Sequence, residues 1–368
     1  METEPSSPQK SVACGLTDAD WNAWLAERDE PKFRAKQILD WIFKKRVSNF
    51  ESMSNLSPEL REALTDQFTL APLTHVRLNG STDTTRKFLF RLEDDGRLIE
   101  TVLIPASRAL YGGRSDRLTL CVSSQVGCAF DCKFCASGLA GFTRNLTAGE
   151  IVSQVLMAEA ETGERVNNLV FMGMGEPLAN LNNLTQAIQI LNAEWGVTLG
   201  ARQMTVSTSG LAPMIEKLSD IPIQIRLAIS LHGATDDVRS QIMPVNERYN
   251  LQRLFEALNI WNEKKKQKIT FEYILIKGVN DGLDQAKALT HRALGLGAKV
   301  NLIPYNTVDG LEWERPTEDV QEKFLDVLVN AGVQATLRRE KGHDIDAACG
   351  QLRLREETAE GIIEVAPV

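Results

Sequence analysis

The chain has no apolar run approaching the ~20 residues that a membrane-spanning helix requires. Its 43% apolar and 24% charged residues are ordinary for a globular protein. METEPSSPQK has no basic start followed by an apolar stretch. No secretion signal is therefore expected, and the protein is read as cytoplasmic, without a membrane partner. Six cysteines among 368 residues are too few for a disulfide scaffold. In a reducing compartment, clustered thiols point instead to metal binding or catalysis. Net positive charge is lacking too. The formal charge is −8, so any attraction to nucleic acid must come from a local patch.

The length suits one large core with a smaller appendage. In the first 75 residues, apolar positions at three- and four-residue spacing predict helices over 18–27, 33–45 and 58–68. Pro31 and Ser57-Pro58 suit helix starts. The second helix carries Arg34, Lys36, Lys44, Lys45 and Arg46. It is either a small RNA-contacting element or a solvated basic face over an ordinary core. Lys264 to Lys268 and the Arg338-Arg339-Glu340-Lys341 run have the same two readings. Next, two β-rich runs flank Asp95-Gly96, a strong hairpin signal. Glu100 lies on the second run, facing either solvent or a site.

From residue 118 onward, short β-branched runs alternate with helical stretches. The runs are 118–122, 168–172, 203–207, 225–231, 269–276 and 300–304, and 333–339 suits an added edge strand. This alternation predicts an α/β fold with a parallel sheet whose strands are buried on both faces. Six units make an open partial (β/α)6 barrel. Four regions follow: a helical accessory domain (1–75), a β-hairpin linker carrying Glu100 (76–113), the core barrel (114–344) and a C-terminal segment carrying Cys349 (345–368). The strand exits read CVSSQVGC, GMGEP, STSG, SLHG, KGVND and PYN. In barrels of this kind the chemistry collects at those ends.

Four of the six cysteines lie between 121 and 135. Cys128, Cys132 and Cys135 sit in eight residues, enough to hold three corners of a four-iron cluster and leave the fourth iron open. Structural zinc sites favour two Cys-x-x-Cys pairs, and no second pair exists. Cys121 is an alternative fourth ligand that would close the cluster.

Cys-x3-Cys-x2-Cys after a first barrel strand, with Phe134 before the last cysteine, resembles the radical S-adenosylmethionine (SAM) superfamily. IETVLIP, LCVSSQVGCAFDCKFCASG, NLVFMGMGEPLAN, VSTSG, LAISLH, NLIPYN and GHDIDAACGQL together resemble the dual-specificity RNA adenine-C2 methyltransferases, the RlmN family. They run in that family's order from residue 99 to 352. The resemblance implies a [4Fe-4S] cluster on Cys128, Cys132 and Cys135. It implies SAM contacts at Gly175, Glu176, Ser207, Ser230, Leu231, His232 and Asn306. It also implies that the cluster splits SAM to a 5′-deoxyadenosyl radical.

The same resemblance makes Cys349 a methyl carrier through an S-methylcysteine. Adenine C2 is electron-poor, so a covalent relay divides a difficult transfer into easier steps. Cys121 is then the resolving thiol, forming a transient disulfide with Cys349. Glu100 matches the proton acceptor, with Cys121 as a rival. The implied substrates are 23S rRNA and certain tRNAs, the implied reductant is a flavodoxin, and a monomer is expected. Related Cfr-type enzymes methylate C8, and their cysteine loop tends to carry an extra cysteine where Val126 stands here. The SSQVGC wording favours C2.

Overall fold

The computed structural model describes residues 10–81, 84–106, 116–139, 141–308, 311–338 and 351–361. At the N-terminus, β1 (Ser11–Val12) pairs with β2 (Phe68–Thr69). Between them lie helices Asp18–Ala26, Phe33–Leu39 and Pro58–Gln67. Thr17 and Asp20 form a capping box at the first, and Ser57 caps the third with Pro58 behind it. These side chains satisfy amides that a helix start leaves unpaired. The predicted single helix over 33–45 changes at Asp40 into a wider π turn, Asp40–Lys45, ending at left-handed Arg46.

A meander follows: β3 (Leu73–Gly80), β4 (Arg86–Leu92) and β5 (Leu98–Pro105). Gly96 takes φ +71° in the β4–β5 turn, a conformation open to glycine. The expected hairpin is therefore present, with β3 as an additional strand. It does not stand apart from the barrel. Beyond it lie β6 (Leu118–Cys121), the short pair β7 (Gln125–Gly127) and β8 (Phe142–Asn145), then β9 (Asn168–Phe171), β10 (Met204–Thr208), β11 (Arg226–Ser230), β12 (Thr270–Leu275), β13 (Lys299–Pro304) and β14 (Ala335–Leu337). One ten-stranded sheet runs β14-β13-β12-β11-β10-β9-β6-β5-β4-β3. Neighbours from β6 to β14 are parallel, and β5 joins β6 antiparallel. The partial barrel, its edge strand and its hairpin extension are thus continuous.

The strands are largely buried on both faces, as expected, but their two faces differ in polarity. Alternate residues of a strand point to opposite faces. On β12, Phe271, Tyr273 and Leu275 are fully buried in the core, whereas Thr270, Glu272 and Ile274 share the other face. The helices cover the first face, and the second, concave face lines a cleft. Polar side chains are tolerated there because the cleft offers them solvent or partners.

The N-terminal helices join the barrel's own hydrophobic core. Contact there is backbone to backbone: a Cβ on Gly15 would stand 2.6 Å from Gly149 N. Gln186 donates to Gly15 O at 2.7 Å, and Arg46 pairs with Glu159. At the other end, helix Gln351–Ala359 packs on β5.

Candidate functional site

The site begins where β6 ends. Ser123 N donates to Gln154 Oε1 at 2.8 Å, and the Gln154 amide returns to Ser123 O at 2.9 Å. This fixes the direction in which the chain leaves the sheet. Gly127 then takes φ +75°, and any Cβ there would fall 1.8 Å from Gly141 O. The β7–β8 pair therefore closes only on glycine. Cys128 N donates to Gly141 O at 3.0 Å, so the first cysteine leaves a fixed hairpin.

Cys128, Cys132 and Cys135 line one cleft with Gly175, Glu176, Ser207, Ser230, His232 and Asn306. Burial pushes the Cys128 thiol up to about 12, with the neighbouring Cys135 adding to it. Burial likewise raises Cys132 well above its ordinary value, with Cys135 and Cys128 adding to it. Three thiols whose ionised forms repel one another suit a cationic iron–sulfur core taking one thiolate per corner. Among the described residues no three His, Cys, Asp or Glu side chains are placed to hold a single metal ion. Ser209 Oγ and Tyr305 Oη are buried in the cleft wall without a hydrogen bond of good geometry, the Glu176 carboxylate and the Val308 backbone being their polar neighbours. Buried polar atoms are normally paired, so these two fit a polar ligand in the cleft.

The glycines of GMGEP do packing work. Gly173 lies against the Val122 backbone, and Gly175, at φ +98°, lies against Gln125. Glu176 is buried, and each of its oxygens holds a backbone amide: Leu178 N at 3.0 Å and Ser209 N at 2.7 Å. Burial raises its carboxyl pKa, and those amides pull against the shift. His232 sits at φ +55°, its Nδ1 accepting from Ile274 N at 3.0 Å. Its ring meets Phe134 edge-on, centroids 4.7 Å apart. Burial holds its pKa down, to about 3, so the ring is neutral. Asn306 Oδ1 accepts from Arg315 at 3.1 Å.

Leu231 departs from the expected set. Its side chain is wholly in the core, so it offers the cleft backbone only. The sequence reading also missed Arg239. It is fully buried and joins the β10 and β11 exits by donating to Ser209 O, to Leu231 O at 3.1 Å and to Asn246 Oδ1 at 2.9 Å. Its place in an ordinary amphipathic stretch gave no signal. Glu272 and Arg338 also line the cleft. Arg338 had been read only as part of a basic run.

Cys121 is buried at the end of β6 and stands outside the cleft lining. Register nevertheless places it on the cleft face. Cys121 pairs with Val170, Val170 pairs with Thr205, and Thr205 stands two residues before cleft-lining Ser207. On its other side Cys121 pairs with Val102, two residues past Glu100. Glu100 is buried, with Lys87 Nζ at 2.8 Å from one oxygen and Arg353 N donating to the other at 2.7 Å. Cys349 lies outside the described residues.

Known proteins resemble this chain over most of its length. Residues 122–287 match the radical SAM superfamily, and residues 14–70 match a ribosomal RNA large subunit methyltransferase N-terminal domain. A probable dual-specificity RNA methyltransferase RlmN from Akkermansia muciniphila is 56% identical over 350 residues, covering 95% of this chain and 97% of the relative. A protein of the same description from Staphylococcus saprophyticus is 48% identical, covering 96% and 95%. A crystal structure of a radical SAM methyltransferase from Sphaerobacter thermophilus superposes with a TM-score of 0.86 at 42% identity, covering 93% of this chain and 98% of that one.

Proposed function

Because this chain belongs to the RlmN family of dual-specificity RNA methyltransferases, within the radical SAM superfamily, we propose that it methylates C2 of an adenosine in 23S rRNA, and of an adenosine 3′ of the anticodon in tRNA. The observation that carries this reading is a further thiol set apart from the three in the cleft. Cys128, Cys132 and Cys135 line the cleft from the loop after β7, while Cys121 ends β6 outside that lining, on the sheet face that register assigns to the cleft.

Cys128, Cys132 and Cys135 would hold the [4Fe-4S] cluster. Glu176, Gly175, Ser207, Ser230, His232, Asn306 and the Leu231 backbone would hold SAM. Bound there, the two groups supply a methyl group and a carbon-centred radical able to remove hydrogen. The protein's part is then position and the exclusion of water. Cys349 takes the methyl group, and its carbon, after hydrogen removal, joins adenine C2. Cys121 thiolate attacks the Cys349 sulfur: the S–S bond forms as the carbon–sulfur bond breaks, the freed carbon takes a proton to complete the methyl group, one electron passes to the cluster that the three cysteines would hold, and methylated RNA leaves. Glu100 is the acceptor for the C2 proton. Each of its oxygens already holds one partner, Lys87 Nζ or Arg353 N, and each keeps a lone pair for a proton. A flavodoxin-type protein supplies electrons, and the enzyme works as a cytoplasmic monomer.

Two variants test the relay. Cys121→Ala should accumulate a stable protein–RNA adduct on denaturing gels, whereas Cys349→Ala should give neither adduct nor methylation. Clean turnover by the Cys121 variant would remove the relay. Mass spectrometry of the product nucleoside decides between C2 and the alternative, C8, expected of a Cfr-like enzyme.

A further inference from the structure

The cleft wall contains two buried carboxylates with opposite commitments. Glu176 has both oxygens on backbone amides. Glu272, on β12, has one. Its Oε1 accepts from Asn301 Nδ2 at 2.9 Å, and no hydrogen bond ends on its Oε2. Asn301 is held in turn, its Oδ1 accepting from the Thr336 hydroxyl at 2.8 Å. Register explains the chain of contacts. Glu272 pairs with Asn301, and Asn301 with Thr336, so the three side chains form a row across β12, β13 and β14 on the concave face. Glu272 lines the cleft, so its second oxygen is left for a donor that enters there.

The position of this row narrows the donor. Strands β6 and β12–β14 stand at opposite ends of the parallel run, and Cys121 ends β6. Most residues assigned to SAM lie on the exits of β9, β10 and β11, but Asn306 follows β13 and Ser230 is the register partner of Glu272, so Glu272 borders the cofactor's place. Arg338, at the open edge beside β14, lines the same cleft as Glu272 and forms no ion pair with it. An approaching RNA backbone would meet that cation first, and a base entering the cleft would meet Glu272 next.

We infer that Glu272 reads the target base by accepting a hydrogen bond from its exocyclic 6-amino group, with Asn301 and Thr336 fixing the carboxyl group. The inference rests on the adenine reading above and adds the residue that enforces it. A 6-amino purine offers a donor where Glu272 is an acceptor. A 6-oxo purine offers a second acceptor, and two acceptors facing each other in a dry site are disfavoured. Burial raises the Glu272 carboxyl pKa, with the Asn301 amide and the Arg338 charge pulling it back.

The test uses reconstituted full-length enzyme and RNA hairpins carrying adenosine, purine riboside (hydrogen at position 6) or inosine (oxygen at position 6) at the target. Wild type should favour adenosine over purine riboside by roughly ten- to a hundredfold in kcat/KM, the value of one good base contact. Inosine should be poorer still. Glu272→Leu should bring adenosine and purine riboside within about threefold of each other. Asn301→Leu should fall between, the mark of a positioning residue. Glu272→Gln keeps the shape and an acceptor oxygen, and its amide N–H can meet a 6-oxo group. It should retain the preference for adenosine over purine riboside and accept inosine better than wild type does. RNA hairpin affinity, measured by fluorescence anisotropy without reductant, should follow the same order. An unchanged preference in the leucine variant overturns the inference while leaving C2 methylation intact. So does a matched loss of RNA-free 5′-deoxyadenosine release, which would assign Glu272 to the cofactor. Wild-type methylation at a carbon other than C2 ends both readings.

Discussion

Cys14 shows how a single residue's chemistry is decided by packing. Its thiol is buried, 3.1 Å from Ser153 Oγ and donating to Gly149 O at 3.5 Å. Burial pushes its pKa up to about 11. At pH 8 only about a thousandth of it is thiolate, the reactive form. Iodoacetamide should therefore label Cys14 roughly a hundredfold more slowly in the native protein than in urea, read by peptide mass spectrometry. The same burial sets a pH dependence. Between pH 9 and about 11 the unfolded thiol loses its proton and the folded one keeps it. The unfolded state then binds fewer protons, so stability falls as pH rises through that window. Two pKa units correspond to about 2–3 kcal/mol. Cys14→Ala should start less stable but lose less between those pH values, in urea melts followed by circular dichroism. None of this was legible in the sequence, where Cys14 sits in a polar stretch and its partners are 135 and 139 positions away. The cluster trio was legible because its spacing is local. Glu272 was not, because its row is assembled by register across three strands.

At the level of elements, the apolar strand runs and the Asp95-Gly96 turn were readable because period and turn chemistry are short-range signals. β3 escaped because Val76 and Leu78 remain exposed on it, so its pattern marks no core face. The C-terminal helix was hidden for another reason: its docking is ionic. Arg353 and Glu357 pair at 2.8 Å with both side chains almost wholly buried, and Glu357 Oε1 accepts from Leu98 N at 3.0 Å. Arg77–Glu356 and Arg91–Glu360 pair at the exposed rim. Removing one partner of a buried pair costs about 3–5 kcal/mol, whereas an exposed pair contributes about 0–1 kcal/mol. Glu357→Ala should thus loosen the helix and expose the C-terminal segment to limited proteolysis, while Arg91→Ala should leave the cleavage pattern unchanged. The helix begins two residues after Cys349 and is tied to Glu100 through Arg353 N. Its loosening should therefore lower Cys349 S-methylation before it lowers cluster content. Equal proteolysis of the two variants would sink the assignment of docking to Glu357, which Arg353 of the same helix steadies and which crosses to β5 at Leu98 N.

Across the whole molecule, the N-terminal helices bear on how RNA is held. Lys44 pairs with Asp40 at 2.7 Å, Lys45 lies over the Trp41 ring, and Arg46 pairs with Glu159. Much of the basic face is thus spent internally, which favours the reading of an ordinary surface over an RNA grip. The unit is also continuous with the barrel core, joined where Gly15 and Gly149 touch backbone to backbone. A glycine contact of this kind carries no hydrophobic signal, so the packing of this segment on the barrel was not legible in the sequence. If the union is energetic as well as geometric, the chain unfolds as one cooperative unit. Trp21, fully buried among the N-terminal helices, and Trp261, fully buried in the barrel, should then report the same thermal midpoint when each is retained as a local fluorophore. Gly15→Ala puts a methyl group 2.6 Å from Gly149 N. It should cost the ~1–3 kcal/mol of stability typical of overpacking and lower the shared midpoint without separating the two reporters. Two resolved transitions, with the Trp21 signal melting first, would instead describe an accessory domain hinged on a self-sufficient barrel.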